Sequence, residues 1–260
     1  MNIKKASLLL VLIAIATSLS AQNSTSEVKK DGLLGNVRQV TSRLYEAQLV
    51  GEDELKKGSN LEHLETVYAS NGQRRNMTFL STEEDIVFRT RYKHDAFGQT
   101  TLEQIVDNNE QVIGRTYYIY NDNFVLTESY VEDAERQVEN RIRYKYDENG
   151  RLQQRSYNDP LNEVYRREVY YYNMAGNIAK TIVYSRQNKK MQEIRYEYDA
   201  HRQPISKTLY DYSEEEPEVF MTLYLYQYDS HGNWVQKTEY TVDSDRRIPE
   251  YITERNIEYF

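Results

Sequence analysis

"RYKYDENGRLQQRSY", residues 143–157, decides how this chain folds. Tyr144 and Tyr146 are two residues apart, so both rings lie on one face of an extended strand, with Arg143 and Lys145 on the other. Asp147-Glu148-Asn149-Gly150 then supplies a tight turn. The Asp side chain bonds the backbone ahead of it, and Gly adopts positive φ without steric penalty. Leu152 opens a second strand, so the stretch spells a β-hairpin.

The phrase returns as "EVYYYNMAGNIAKTIVY" at 168–184 and as "RYEYDAHRQPISKTLY" at 195–210. Aligned on the residue that closes the turn, Gly72, Gly98, Phe124, Gly150, Gly176 and Arg202 are each 26 apart, and Gly232 follows after 30. Equal intervals of this length mark a repeat architecture. The four additional residues fall in the acidic loop 211–219, where an insertion is tolerated. Four residues before each turn-closing position stand Tyr68, His94, Tyr120, Tyr146, Tyr172, Tyr198 and Tyr228. Two further back stand Thr66, Tyr92, Tyr118, Tyr144, Tyr170, Tyr196 and Tyr226. Arg91, Lys93, Arg143, Lys145, Arg195 and Glu197 alternate with them and take the opposite face.

Seven hairpins of this kind, joined by variable polar loops such as 158–163, account for about fourteen strands. A leading strand at 37–45 and a closing one at 254–260 flank them. The polar stretch 51–60 reads as a loop. Pro160, Pro217 and Pro249 suit loops, and Pro204 begins a strand, where a missing donor is tolerable. The expected fold is therefore all-β: an antiparallel meander of 26-residue hairpins forming one long curled or partly closed sheet. It spans a single domain, 37–260, preceded by a linker at 22–36. An outer-membrane barrel is set aside, because such a barrel needs an apolar lipid-facing band. Here the strand faces are tyrosine on one side and Arg/Lys/Glu on the other, and mean hydropathy is −0.84.

Residues 1–21 read as a secretory signal peptide: Lys4 and Lys5, an apolar run from Ala6 to about Ala16, then small residues to Ala21. Cleavage is expected after Ala21, or failing that after Ser20, and the apolar run is too short for a stable membrane helix. The mature chain then begins at Gln22 and keeps 31 basic against 41 acidic side chains. That balance argues against nucleic-acid binding, which needs clustered cations. There is no cysteine, hence neither a disulfide nor a lipid anchor. A secreted or periplasmic bacterial protein with no membrane span after signal cleavage is expected.

Tyr146-Asp147-Glu148-Asn149-Gly150-Arg151-Leu152 resembles the Tyr-Asp-x-x-Gly-Arg-Leu phrase of the YD repeats of the RHS family. Tyr228-Asp229-Ser230-His231-Gly232 matches its core, and Tyr172-Asn173 and Tyr198-Asp199 match in part. His94-Asp95 has lost the tyrosine. The likeness covers roughly residues 60–260. In large family members such hairpins spiral into shells that enclose toxic domains or form extracellular scaffolds. At this length the resemblance implies a small exported β-repeat protein, similar to secreted YD-like proteins of Bacteroidetes-type bacteria, rather than a toxin.

Chemistry-bearing patterns are few. His63, His94, His201 and His231 share no metal-motif spacing. Asp229-Ser230-His231 are neighbours in one turn and cannot adopt triad geometry. Asp147 and Asn149 could offer oxygens to Ca²⁺, but the full loop pattern is absent and a self-bonding turn is favoured. No catalytic, metal or cofactor site is expected. The rings of neighbouring copies should stack across the sheet and serve first as structure. In the functional reading, Tyr118, Tyr144, Tyr170, Tyr196, Tyr226 and Trp234 form a stacking platform for a ligand. The expectation is a non-enzymatic scaffold or binding module for a cell-surface glycan or a protein partner. The alternative is a secreted glycan-active enzyme using groove carboxylates.

Overall fold

The computed structural model describes residues 26–51, 54–244 and 246–260; the signal-peptide reading lies outside them. A single helical turn, α1 (Glu27–Lys30), precedes sixteen strands. They are β1 (Val37–Val50), β2 (Glu54–Tyr68), β3 (Arg74–Leu80), β4 (Ile86–His94), β5 (Thr100–Asp107) and β6 (Val112–Tyr120). Then follow β7 (Leu126–Asp133), β8 (Val138–Tyr146), β9 (Leu152–Asn158), β10 (Val164–Tyr172) and β11 (Ile178–Ser185). The last five are β12 (Lys190–Tyr198), β13 (Pro204–Asp211), β14 (Glu218–Tyr228), β15 (Trp234–Asp243) and β16 (Arg246–Tyr259). Each pairs antiparallel with its neighbour in sequence, and β1 pairs with β16.

The sheet therefore closes. This corrects the open or partly closed sheet expected from the sequence. β1 and β16 are in register from Val37↔Tyr259 to Glu46↔Tyr251. The physical reason lies in the repeat. Tyr144 pairs with Arg155, and Arg155 pairs with Glu168 rather than with Tyr170. Each 26-residue copy thus shifts equivalent positions by two residues, and the copy with the inserted loop by four, Lys207 pairing with Thr222 rather than with Tyr226. A shift that always runs the same way tilts the strands in one sense, and tilt and stagger together close a barrel and remove its edges.

The turns at the Tyr-Asp end and five of those at the opposite end have one design. At the Tyr-Asp end, Asp147 N donates to Arg151 O and Gly150 N donates to Asp147 O. Asp147 Oδ1 accepts from the backbone N–H of Asn149 and Arg151, both at 2.9 Å. This is a type I turn closed by a residue in the left-handed region. Gly150 holds that position with φ +74°, while Phe124 and Arg202 bear it at +61° and +62°. The opposite end, expected to be variable, repeats the pattern: Asp159 N donates to Glu163 O, with Asn162 at +67°. The 51–60 stretch is a further correction. Residues 54–57 belong to β2 and pair with 47–50 of β1, beyond the last β1–β16 pair at Glu46.

The tyrosine face points inward. Arg91, Lys93, Arg143, Lys145, Arg195 and Glu197 are all exposed on the outer wall, as the alternation required. Outward charges pair across strands, Glu128 with Arg141 and Arg143 and Lys57 with Glu254, and Arg91 pairs with Glu110 of the β5–β6 turn. Fully buried large side chains are few — Leu152, Val37, Val106 and Asn158 — which describes a wall rather than a filled core. Barrels of this strand number are too wide for side chains to fill.

The apolar cluster sits at the Tyr-Asp end, where residues 26–36 enter the mouth. Val28, Leu33, Val37, Val40 and Tyr68 bury one another against Ile257 and Tyr259. The segment is tied at both ends. Val28 N donates to Gly72 O at 3.1 Å, and Leu34 exchanges two hydrogen bonds with the Asn233 side chain. It straps the inner side of the β1–β16 seam.

Candidate functional site

β6, β8, β10, β12 and β14 each contribute one ring of the candidate set to the inner wall: Tyr118, Tyr144, Tyr170, Tyr196 and Tyr226. Trp234 on β15 joins them 6.0 Å from Tyr226. The candidate residues thus line one lumen. The five tyrosines do not stack on one another as expected, because an intervening strand separates each from the next. The space is filled from that strand: Arg155 lies 5.8 Å from the rings of both Tyr144 and Tyr170. Ser129 meets the Tyr144 hydroxyl at 2.9 Å.

A second tyrosine row lines the rim and is structural. Tyr120, Tyr146, Tyr172 and Tyr198 donate to the carbonyls of Thr100, Leu126, Leu152 and Ile178 at 2.7–2.9 Å. Tyr228 and Tyr259 donate to Asp199 and Asp229, each at 2.5 Å. His201 and His231 stack on these two rings at 4.1 and 3.9 Å, which accounts for both turn histidines. His94 ends β4 half-buried, and burial lowers its pKa.

Sequence reasoning missed the charges between the rings. Glu168 Oε2 accepts from Tyr157 at 3.0 Å and Tyr170 at 2.5 Å, and Oε1 accepts from Arg166 at 2.6 Å. Lys237 pairs with Glu239 at 2.6 Å. Burial raises the Glu103 carboxyl above its usual range, against the pull of Arg74 and a hydrogen bond from Tyr118. Near the mouth, Arg74 is 6% exposed and meets Asp31, which also accepts from Tyr68 at 2.6 Å. Arg255 lies over Trp234, 3.4 Å from the ring centroid; burial lowers its pKa to about 10. Burial likewise raises the hydroxyls of Tyr118, Tyr144, Tyr170, Tyr196 and Tyr226, so they stay neutral donors at physiological pH. Glu103 and Glu168 stand five strands apart on the wall. Among the described residues, no group of three or more His, Asp or Glu side chains could hold a metal ion.

A crystal structure of a porin-like protein from Bacteroides uniformis is similar to this chain over 86% of its length and 98% of that one, at 10% identity and a TM-score of 0.54. A porin-like protein from Bacteroides vulgatus covers the same shares at 12% identity and a TM-score of 0.47. The chain spans 12% of a component of the Photorhabdus luminescens Tc holotoxin pore, at 17% identity over 88% of its own length, with a TM-score of 0.34. The first of these shows a shared barrel fold. No protein-family model and no curated protein matches the chain.

Proposed function

We propose that this chain is an exported, non-enzymatic barrel of YD-type hairpins whose lumen binds a cell-surface glycan or a partner protein. One observation carries the reading: Tyr118, Tyr144, Tyr170, Tyr196, Tyr226 and Trp234 line a single inner wall, with the tyrosine hydroxyls neutral and polar groups interleaved. Flat amphipathic rings with donors between them suit a sugar or peptide chain. The outer wall supports aqueous surroundings. Its exposed Arg, Lys and Glu would each be costly against lipid. Tyr-Asp-x-x-Gly turns and the 26-residue period support the YD reading.

Trp234 is the single tryptophan, so its emission reports on the lumen alone. Surface glycans should shift that emission saturably, and Tyr226→Ala should weaken the effect. Binding that leaves Trp234 emission and lumen variants unaffected would move the site to the outer wall.

A further inference from the structure

Among the described residues, two inner-wall arginines make no direct ion pair, although Glu168 attracts the first and Asp31 the second. Arg155 is held between the Tyr144 and Tyr170 rings, and its Nε is buried with no partner. Its in-register neighbour Glu168 is already engaged by Tyr157, Tyr170 and Arg166. Arg255 stacks on Trp234, and its Nε also lacks a partner. Arg74, Arg166 and Lys237, by contrast, meet Asp31, Glu168 and Glu239.

A half-buried guanidinium with no ion-pair partner and an unpaired buried Nε is costly, and ring contacts offset only part of that cost. The ring contacts use the face of the guanidinium rather than its N–H groups. An N–H edge takes a planar carboxylate bidentately. Beside each arginine, rings offer flat surfaces for the body of a ring-shaped ligand. The arginines sit on β9 and β16, seven strands apart in a wall of sixteen, so they lie on opposite sides of the barrel. A single small acid could reach one of them; an oligomer could reach both.

We propose that the lumen binds an acidic saccharide, an oligomer of carboxylate-bearing sugars, with one carboxylate on Arg155 between Tyr144 and Tyr170 and another on Arg255 beside Trp234. This rests on the lumen being the binding site. A nucleic-acid strand fits less well. It needs an unbroken run of cations along its phosphates, whereas Ser129 and Thr181 interrupt the between-ring series of Arg155, Lys207 and Lys237, Lys237 is paired with Glu239, and Glu168 stands on the same wall.

The test titrates the exported chain with tetragalacturonate, neutral maltotetraose and a thymidine tetranucleotide, reading Trp234 emission and calorimetry. Tetragalacturonate should bind, and bind less well as salt is added. Arg155→Gln and Arg255→Gln should each weaken it about tenfold, as expected for loss of a charge-assisted pair. Arg155→Lys keeps the charge and fills much of the same space, so it should lose less than Arg155→Gln. If maltotetraose binds equally well and ignores Arg155→Gln, the acidic class is wrong while the lumen reading stands. Tighter binding of the tetranucleotide overturns the saccharide in favour of nucleic acid. Silence from Trp234 with every probe overturns both readings.

Discussion

The Tyr146 hydroxyl lies 2.7 Å from the carbonyl oxygen of Leu126, twenty residues back and on the neighbouring strand. Backbone pairing of β7 with β8 ends at Glu128↔Arg143, so Leu126 lies beyond the ladder and the tyrosine supplies the missing donor. The bond recurs in the copies ending at Tyr120, Tyr172 and Tyr198. The tyrosine of the Tyr-Asp phrase is therefore a clamp on the bulged start of the adjacent strand.

Tyr146→Phe removes the donor and keeps the ring. It should cost about 1 kcal/mol in denaturant unfolding, the usual net worth of one hydrogen bond. An unchanged unfolding midpoint would assign the rim tyrosines to packing alone.

Burial raises the hydroxyl pKa of many tyrosines, to about 12 for Tyr157, Tyr172 and Tyr198. A raised folded value means that the neutral form is favoured in the barrel. The stability this contributes is full below the unfolded value of 10 and is lost as pH rises towards 12. Absorbance titration should show late, cooperative tyrosine ionisation coinciding with loss of β-sheet circular dichroism. Ionisation near pH 10 with the sheet intact would contradict it.

Tyr144→Ala empties a position that Arg155 and Ser129 both use. It should cost about 3 kcal/mol, as truncation of a packed aromatic does. Lys145→Ala, exposed one residue along on the outer wall, should stay within about 0.5 kcal/mol. Equal melting of the two variants would mean that the inner rings are free of structural duty.

Much of this was legible because period-2 alternation and turn chemistry are local. Strand count, repeat length and the outward set around Arg143 and Lys145 follow from them. Closure does not, since it depends on how Val37 meets Tyr259 at the two ends of the meander. The far-end turns lacked a signal because Glu84, Glu110, Arg136, Asn162 and Asn188 stand where glycine would announce positive φ. Arg155 was missed because the register shift between Lys145 and Tyr146 hides which face a second strand presents. The extension of β1 and β2 past Glu46 is exposed on both faces, so no alternation marks it.

The strap at the mouth offers a separate test. Asp31→Ala leaves Arg74 buried without its nearest acid and should cost about 3 kcal/mol, as breaking a buried pair does. Lys29→Ala, exposed on the same segment, should be neutral. Burial would raise the Glu27 carboxyl, but Lys30 and Arg74 outweigh it and hold the pKa below 4.5. Its contribution is present above that value and fades as pH falls below it. Glu27→Gln should therefore flatten the decline in melting temperature between pH 5 and about 3. An unchanged decline would remove Glu27 from the account of acid stability.

Barrel closure is tested most directly at the seam. Thr41 and Asn256 pair across β1 and β16. Directly paired residues have Cα atoms about 4.5–5.5 Å apart, within disulfide reach. The chain has no cysteine of its own, so the double substitution Thr41→Cys with Asn256→Cys reports on this pair alone. On mild oxidation, closure predicts a disulfide within one chain, seen as a monomer of increased mobility on a non-reducing gel with no free thiol. The control Thr41→Cys with Arg143→Cys should form none. Free thiols in the seam variant, or bonds only between chains, would show that the first and last strands do not meet.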